Sequence, residues 1–304
     1  MTPSDPTVTW LLDGDPAIRW QTHRFLLDSP PSLWSGEQQL MASEGWAARL
    51  LSLRATDGLW AGGLYTPKWT STTYTLLQLW RMGLSRESAE AKASTELLMA
   101  APVWVMGPNR YWETCVAGFG LVLSSWFEVA REARETLVEE ILAEQMDDGG
   151  WNCRRRRDGA HHSSFHTTMN VIEGLREYCI AGGEQVTAVE DAEARARDFF
   201  CAHHLYRSHR SDDIPDPRMR SLPFPPRWHH DILRGLDYFR SAGASRDARL
   251  EDPVDVLLSH RRQDGKWPVS SGYSGEVWFK MESGRLPSRW NTLRSLRVLR
   301  WWSG

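Results

Sequence analysis

A chain of 304 residues with 41% hydrophobic and 25% charged residues can bury a large core, and its formal net charge of −3 lacks the basic field that general nucleic-acid or anionic-membrane binding requires. The opening MTPSDPTVTW has no basic n-region, apolar core or cleavage site, and no apolar run is long enough to span a bilayer, so a cytoplasmic location without a membrane span is expected. Seventeen Trp are far above ordinary usage and call for a repeated role.

Taken in chain order, one phrase recurs where amphipathic helices open: Arg19-Trp20-Gln21-Thr22, Lys68-Trp69-Thr70-Ser71, Tyr111-Trp112-Glu113-Thr114, Ser164-Phe165-His166-Thr167, Arg227-Trp228-His229-His230 and Arg289-Trp290-Asn291-Thr292. The aromatics are spaced by about 54 residues on average, room for two helices and two connections. Each phrase leads into a strongly apolar segment, such as Tyr74 to Trp80 or Ile232 to Phe239, whose composition predicts burial on more than one face. Between them run more charged segments, Arg131 to Met146 and Val189 to Leu205, with a single apolar stripe. Strand signals are almost absent, so the expected fold class is all-α: about six inner helices with an outer helical ring, residues 1–304 forming one α/α toroid domain.

Three of the outer segments end in a second phrase: Asp57-Gly58-Leu59-Trp60, Asp148-Gly149-Gly150-Trp151 and Asp264-Gly265-Lys266-Trp267. Asp can bond its own backbone two residues on, Gly supplies the positive φ of a helix C-terminus, and Trp then covers the neighbouring hairpin. These turns resemble the Trp-rich repeats of the squalene–hopene cyclase and protein prenyltransferase β-subunit superfamily, most clearly in Gln145 to Trp151 and Gln263 to Trp267. The resemblance extends over essentially the whole chain as architecture, and the length matches a single-barrel relative. It implies a terpenoid cyclase-like toroid whose cavity takes an isoprenoid or similarly apolar small ligand. Its reaction does not transfer with it. No D-x-D-D cluster of the class II cyclases occurs, and Asp212, Asp213 and Asp216, though spaced like a class I magnesium motif, lie beside Pro215 and Pro217 in an expected loop.

In a closed ring the inner helices start at one end, where free N–H groups and helix dipoles favour anions. Glu113, His166 and His229 follow the aromatic in three consecutive phrases and are the candidate catalytic residues, one carboxylate and two imidazoles suited to acid–base work or metal binding. As mouth residues of a toroid they have a plain structural reading too. Lys68, Arg227 and Arg289 would hold an anionic head, and Trp69, Trp112, Phe165, Trp228, Trp290 and Asn291 would line the ligand site. Four dispersed cysteines argue against a disulfide framework, and each one alone reads as an inert thiol. Cys153, His166 and His229 form the candidate metal set, with zinc the metal, because protein prenyltransferases hold zinc with Asp, Cys and His. The Asp that their pattern places two residues before the cysteine is Trp151 here. The run Arg154 to Arg157 reads as a solvated loop, and His203 to Arg210 as a cationic helix C-terminus. Two other classes stay open: a non-catalytic toroid scaffold, and a glycan-active α/α-toroid lyase or hydrolase with Trp platforms.

Overall fold

Helix follows helix along the chain in the computed structural model, which describes residues 1–101, 105, 106, 111–284 and 286–304. The helices are α1 (Pro6–Leu12), α2 (Pro16–Phe25), α3 (Pro31–Leu40), α4 (Gly45–Ser52), α5 (Thr72–Met82), α6 (Ala89–Ala100), α7 (Thr114–Trp126), α8 (Arg131–Ala143), α9 (Arg155–Asp158), α10 (Phe165–Ile180), α11 (Val186–Ala202), α12 (Ile232–Ser241), α13 (Glu251–Ser259) and α14 (Arg289–Ser303). Strand structure among the described residues is confined to two short antiparallel pairs, β1 (Val105–Met106) with β2 (Tyr111–Trp112), and β3 (Trp267–Pro268) with β4 (Pro287–Ser288). The protein is therefore all-α, and none of its described helices is long and apolar enough to cross a membrane.

Local chemistry sets the helix ends. Asp5 and Asp15 each accept from the backbone N–H of the second residue of a helix that starts with Pro, so one side chain satisfies an orphan donor while Pro has none to lose. Gly83 closes α5 at φ 81°, where a Cβ would sit 2.0 Å from the Trp20 ring. The repeated aromatics do not all mark helix starts. Phe165 and Trp290 open α10 and α14, and Trp69, Trp112 and Trp228 stand two to four residues ahead of their helices, but Trp20 lies inside α2 because Asp15 and Pro16 start that helix a turn earlier.

The chain groups into two compact units where the sequence reading has one domain over 1–304. One comprises Met1–Ser88, Asp216–Arg227 and Asp231–Gly304, and joins the two ends of the chain: α14 packs on α2 and α12, Arg297 Nη1 donates to Gln21 Oε1 at 2.6 Å, and Arg300 Nη1 donates to the Leu26 carbonyl at 2.9 Å. The other comprises Ala89–Pro215 and Trp228–His230, centred on the packing of α7 against α10. Glycine makes that approach close: a Cβ on Gly118 would meet the Asn170 carbonyl oxygen at 2.6 Å, and one on Gly174 the Gly118 oxygen at 2.7 Å.

The three Trp turns share one geometry. Trp60, Trp151 and Trp267 are fully buried, and each indole N–H donates to the carbonyl ten residues upstream, on Leu50 at 2.7 Å, Ile141 at 2.7 Å and Leu257 at 2.8 Å. Each Trp backbone N–H donates at 3.0 Å to a Thr hydroxyl of the next helix, Thr72, Thr168 or Thr292. Gly58, Gly149 and Gly265 supply φ of 86°, 92° and 79°, and Asp57, Asp148 and Asp264 accept from the N–H two residues on. The turn thus ties the end of one helix to the start of the next, as its residue types predict.

Candidate functional site

In the first unit, residues 224–227, 269–282 and 288–291 enclose a cavity of about 280 Å³ with Gln78 on its wall. Trp69 and Trp278 pin the covering loop: Trp69 Nε1 donates to the Ser274 carbonyl at 2.9 Å, the Trp69 backbone N–H to the Glu276 carbonyl at 3.2 Å, and Trp278 Nε1 to Thr75 Oγ1 at 3.1 Å. Phe224 stacks on Trp290 with centroids 4.1 Å apart, giving one apolar wall. Trp290 Nε1 and Asn291 Oδ1 are buried without a hydrogen-bond partner among the described residues, although Asn291 Nδ2 donates to the Pro268 carbonyl at 2.9 Å.

Among the described residues two cations stand on this cavity's wall, the exposed Lys280 and the more buried Arg227. Its Nη1 donates to Gln78 Oε1 at 3.0 Å and its guanidinium lies 5.6 Å from the Trp69 ring centroid, but no carboxylate pairs with it among the described residues. Burial lowers its pKa to about 10, so it remains charged at neutral pH. Its backbone sits at φ 57°, a left-handed conformation that costs a non-glycine residue about 1–2 kcal/mol. Glu282 also lines the cavity, yet it is engaged at the start of α14, accepting from Ser288 Oγ at 2.5 Å and the Arg289 N–H at 2.6 Å, and burial raises its pKa. Of the expected ligand residues, Arg227, Trp290 and Asn291 therefore share this cavity, and Trp69 backs it.

The other two expected head-group cations lie elsewhere. Lys68 is exposed over Trp69 at 5.7 Å, and Arg289 donates to the Trp10 carbonyl at 3.0 Å with its guanidinium 4.6 Å from that ring. Cavity residues outside the recurrent phrase, Gln78, Phe224, Tyr273 and Glu282, carry no signal in the repeat. They come from a helix interior and from irregular loops.

In the second unit, Glu113 occupies the N-cap position of α7, Cys115 lies in the first turn of that helix, and Cys153 follows the Trp151 turn with its N–H donating to Thr167 Oγ1 at 3.4 Å. One ligand atom from each of the three lies within 4.8 Å of the others. The Cys115 and Cys153 thiols are neighbours and influence each other's titration. The Cys153 thiol and burial push Cys115 well above the ordinary thiol range, while the Cys115 thiol draws Cys153 down to about 7. Arg157 Nη1 stands 3.5 Å from Glu113 Oε1.

The expected metal set of Cys153, His166 and His229 is not the one that gathers, because the helix-start repeat carries the imidazoles to a different cluster. His166 and His229 pack edge to face at 5.6 Å, His229 stacks on Trp228 at 3.7 Å, and His166 Nδ1 accepts from the His230 backbone N–H at 2.9 Å. Glu113, called with these two histidines as the catalytic trio, goes instead with the cysteines. Trp112 stands in β2, and Phe165 packs among Phe199, Phe200, His203 and His230. Cys115 taken singly reads as an inert thiol; the Glu113-Thr114-Cys115 spacing at a helix start is the sequence signal that points to it.

The remaining conspicuous runs are locally engaged. Arg154 pairs with Asp158 at 2.7 Å and Arg156 with Glu144 at 2.8 Å, as a solvated turn would. Asp212 sits at φ 58° and Asp216 caps a 3₁₀ turn at Pro217–Arg220, so the acidic run lies on no helix face. No protein-family model matches the chain, and no curated protein matches it.

Proposed function

We propose that the protein is a terpenoid cyclase- or prenyltransferase-like α/α toroid that binds an isoprenoid or similarly apolar small ligand, with the anionic head of that ligand against Arg227. The observation that carries this reading is the Arg227 guanidinium, largely buried on a cavity wall, charged at neutral pH and without a carboxylate partner among the described residues. A buried cation left so is costly unless an anion completes it. Phe224, Tyr273 and Trp290 supply the apolar surface, while Trp290 Nε1 and Asn291 Oδ1 offer a further donor and acceptor. The helical-repeat part of this reading is supported by the Trp turn, which recurs at Trp60, Trp151 and Trp267.

The test is equilibrium titration of intrinsic Trp fluorescence with farnesyl diphosphate, farnesol and a maltooligosaccharide, with product analysis on the same samples. Farnesyl diphosphate is expected to bind, and Arg227→Gln to weaken it by about 10–100-fold, the worth of a lost charge-assisted hydrogen bond, while farnesol binding changes little. Binding of the oligosaccharide alone would point to the glycan class. Equal affinity in the wild type and Arg227→Gln, or no binding of any probe, would leave the scaffold class ahead.

A further inference from the structure

We infer that Glu113, Cys115 and Cys153 form a binding site for a thiophilic divalent cation, zinc in the first place, held by two sulfurs and one carboxylate oxygen. The site stands apart from the cavity reading and does not depend on it.

The donor set selects the metal. Two thiolates favour zinc over magnesium or calcium, which take oxygen ligands, and the single carboxylate suits zinc equally well. In a tetrahedral site with Zn–S near 2.3 Å and Zn–O about 2.0–2.2 Å, neighbouring ligand atoms stand roughly 3.5–3.8 Å apart. The three atoms here already lie within 4.8 Å, so closure needs a movement of about 1 Å at most, within the reach of side-chain rotation.

The scaffold explains why these three meet. Glu113 and Cys115 are two residues apart at the start of α7. Cys153 is delivered by the Trp151 turn, whose backbone is fixed by Trp151 N–H to Thr168 Oγ1 at 3.0 Å and Cys153 N–H to Thr167 Oγ1 at 3.4 Å. All three residues are partly buried, which limits competing water yet leaves an entry path. Two thiolates and a carboxylate around a dication leave one net negative charge, and Arg157, 3.5 Å from Glu113, is placed to balance it. Both thiols must lose their protons to ligate the cation, so affinity rises with pH. Three protein ligands leave a fourth position for water or an added ligand.

His166 and His229 group with Trp228 and are not part of this set.

The test uses the full chain, reduced and stripped with a chelator, then titrated with Zn²⁺ against a chromophoric chelator and separately with Co²⁺. The expected results are about one zinc per chain, with thiolate-to-cobalt charge-transfer absorption and tetrahedral visible bands. Cys115→Ser and Cys153→Ser should each weaken zinc by at least about 100-fold, more than loss of an outer-shell partner does, and Glu113→Gln by about 10-fold. Cys179→Ser, outside the cluster, should leave affinity unchanged. Cys153 is only half-buried, so its variant remains informative should Cys115→Ser fold poorly, with circular dichroism as the check. A cobalt spectrum without thiolate bands, equal zinc affinity in Cys153→Ser, or recovery of a Cys115–Cys153 disulfide with no zinc uptake after reduction, would each overturn the site.

Discussion

Replacing Trp151 by Ala should cost about 3–5 kcal/mol, the range for truncating a fully buried large aromatic. The structure separates the contributions. The indole N–H bond to the Ile141 carbonyl at 2.7 Å is not that oxygen's only one, because the Glu144 N–H reaches it at 3.2 Å. Trp151→Phe therefore orphans nothing and should lose about 0.5–1.5 kcal/mol for the net bond, plus a small volume term. Thr168→Val is different: it leaves the buried Trp151 backbone N–H without its 3.0 Å acceptor and should cost about 1–3 kcal/mol. Guanidinium denaturation followed by far-ultraviolet circular dichroism gives all three, since the substitutions remove or perturb the fluorophore. Leu286→Ala, at a side chain 68% exposed, is the control and should stay within about 0.5 kcal/mol. A Trp151→Ala cost below about 1 kcal/mol, or a Thr168→Val variant as stable as the control, would refute the account of the turn as a tie between helices.

Asp237 predicts acid lability: burial alone would raise its pKa, but Arg297, in direct contact, and Arg240 at 2.8 Å outweigh burial and hold the carboxylate well below the usual range. A depressed folded pKa stabilises above the unfolded value of about 3.9 and is lost as pH falls below it, so the wild-type midpoint should drop below about pH 4, and Asp237→Asn, costing about 3–5 kcal/mol at neutral pH, should flatten that slope. Among the turn glycines, Gly149→Ala should be worse than Gly182→Ala: both have positive φ, but a Cβ on Gly149 meets the Arg195 carbonyl oxygen at 2.5 Å, whereas Gly182 has open space. Thermal or denaturant midpoints should show about 1–2 kcal/mol for Gly182→Ala, from backbone strain alone, and clearly more for Gly149→Ala; equal costs would show that the Arg195 backbone yields.

What could be read along the chain was local and repeated. Trp60, Trp151 and Trp267 announced their role because three residues of each phrase have separate physical jobs, Asp to bond the turn, Gly to take positive φ, Trp to fill and donate, and the structure realises all three jobs three times. The helix-start phrase carried less, because its aromatics mark a neighbourhood and the true start is set by whichever cap lies nearest: Asp15 and Pro16 overrule Trp20, while Ser164 and Ser288 agree with Phe165 and Trp290. The site depended on non-local meetings. Arg227, Trp290 and Asn291 were legible because the phrase carried them, but Gln78 and the 269–282 loop reach the same cavity through the bonds of Trp69 and Trp278, with no sequence period to reveal them. The thiol pair fails to show for the same reason from the opposite side. Equal position in a repeat suggests that Glu113, His166 and His229 should converge, yet convergence is decided by which turn delivers a partner. The Trp151 turn delivers Cys153 to the start of α7, so Glu113 is claimed by the cysteines two and forty residues onward, and the histidines are left to Trp228.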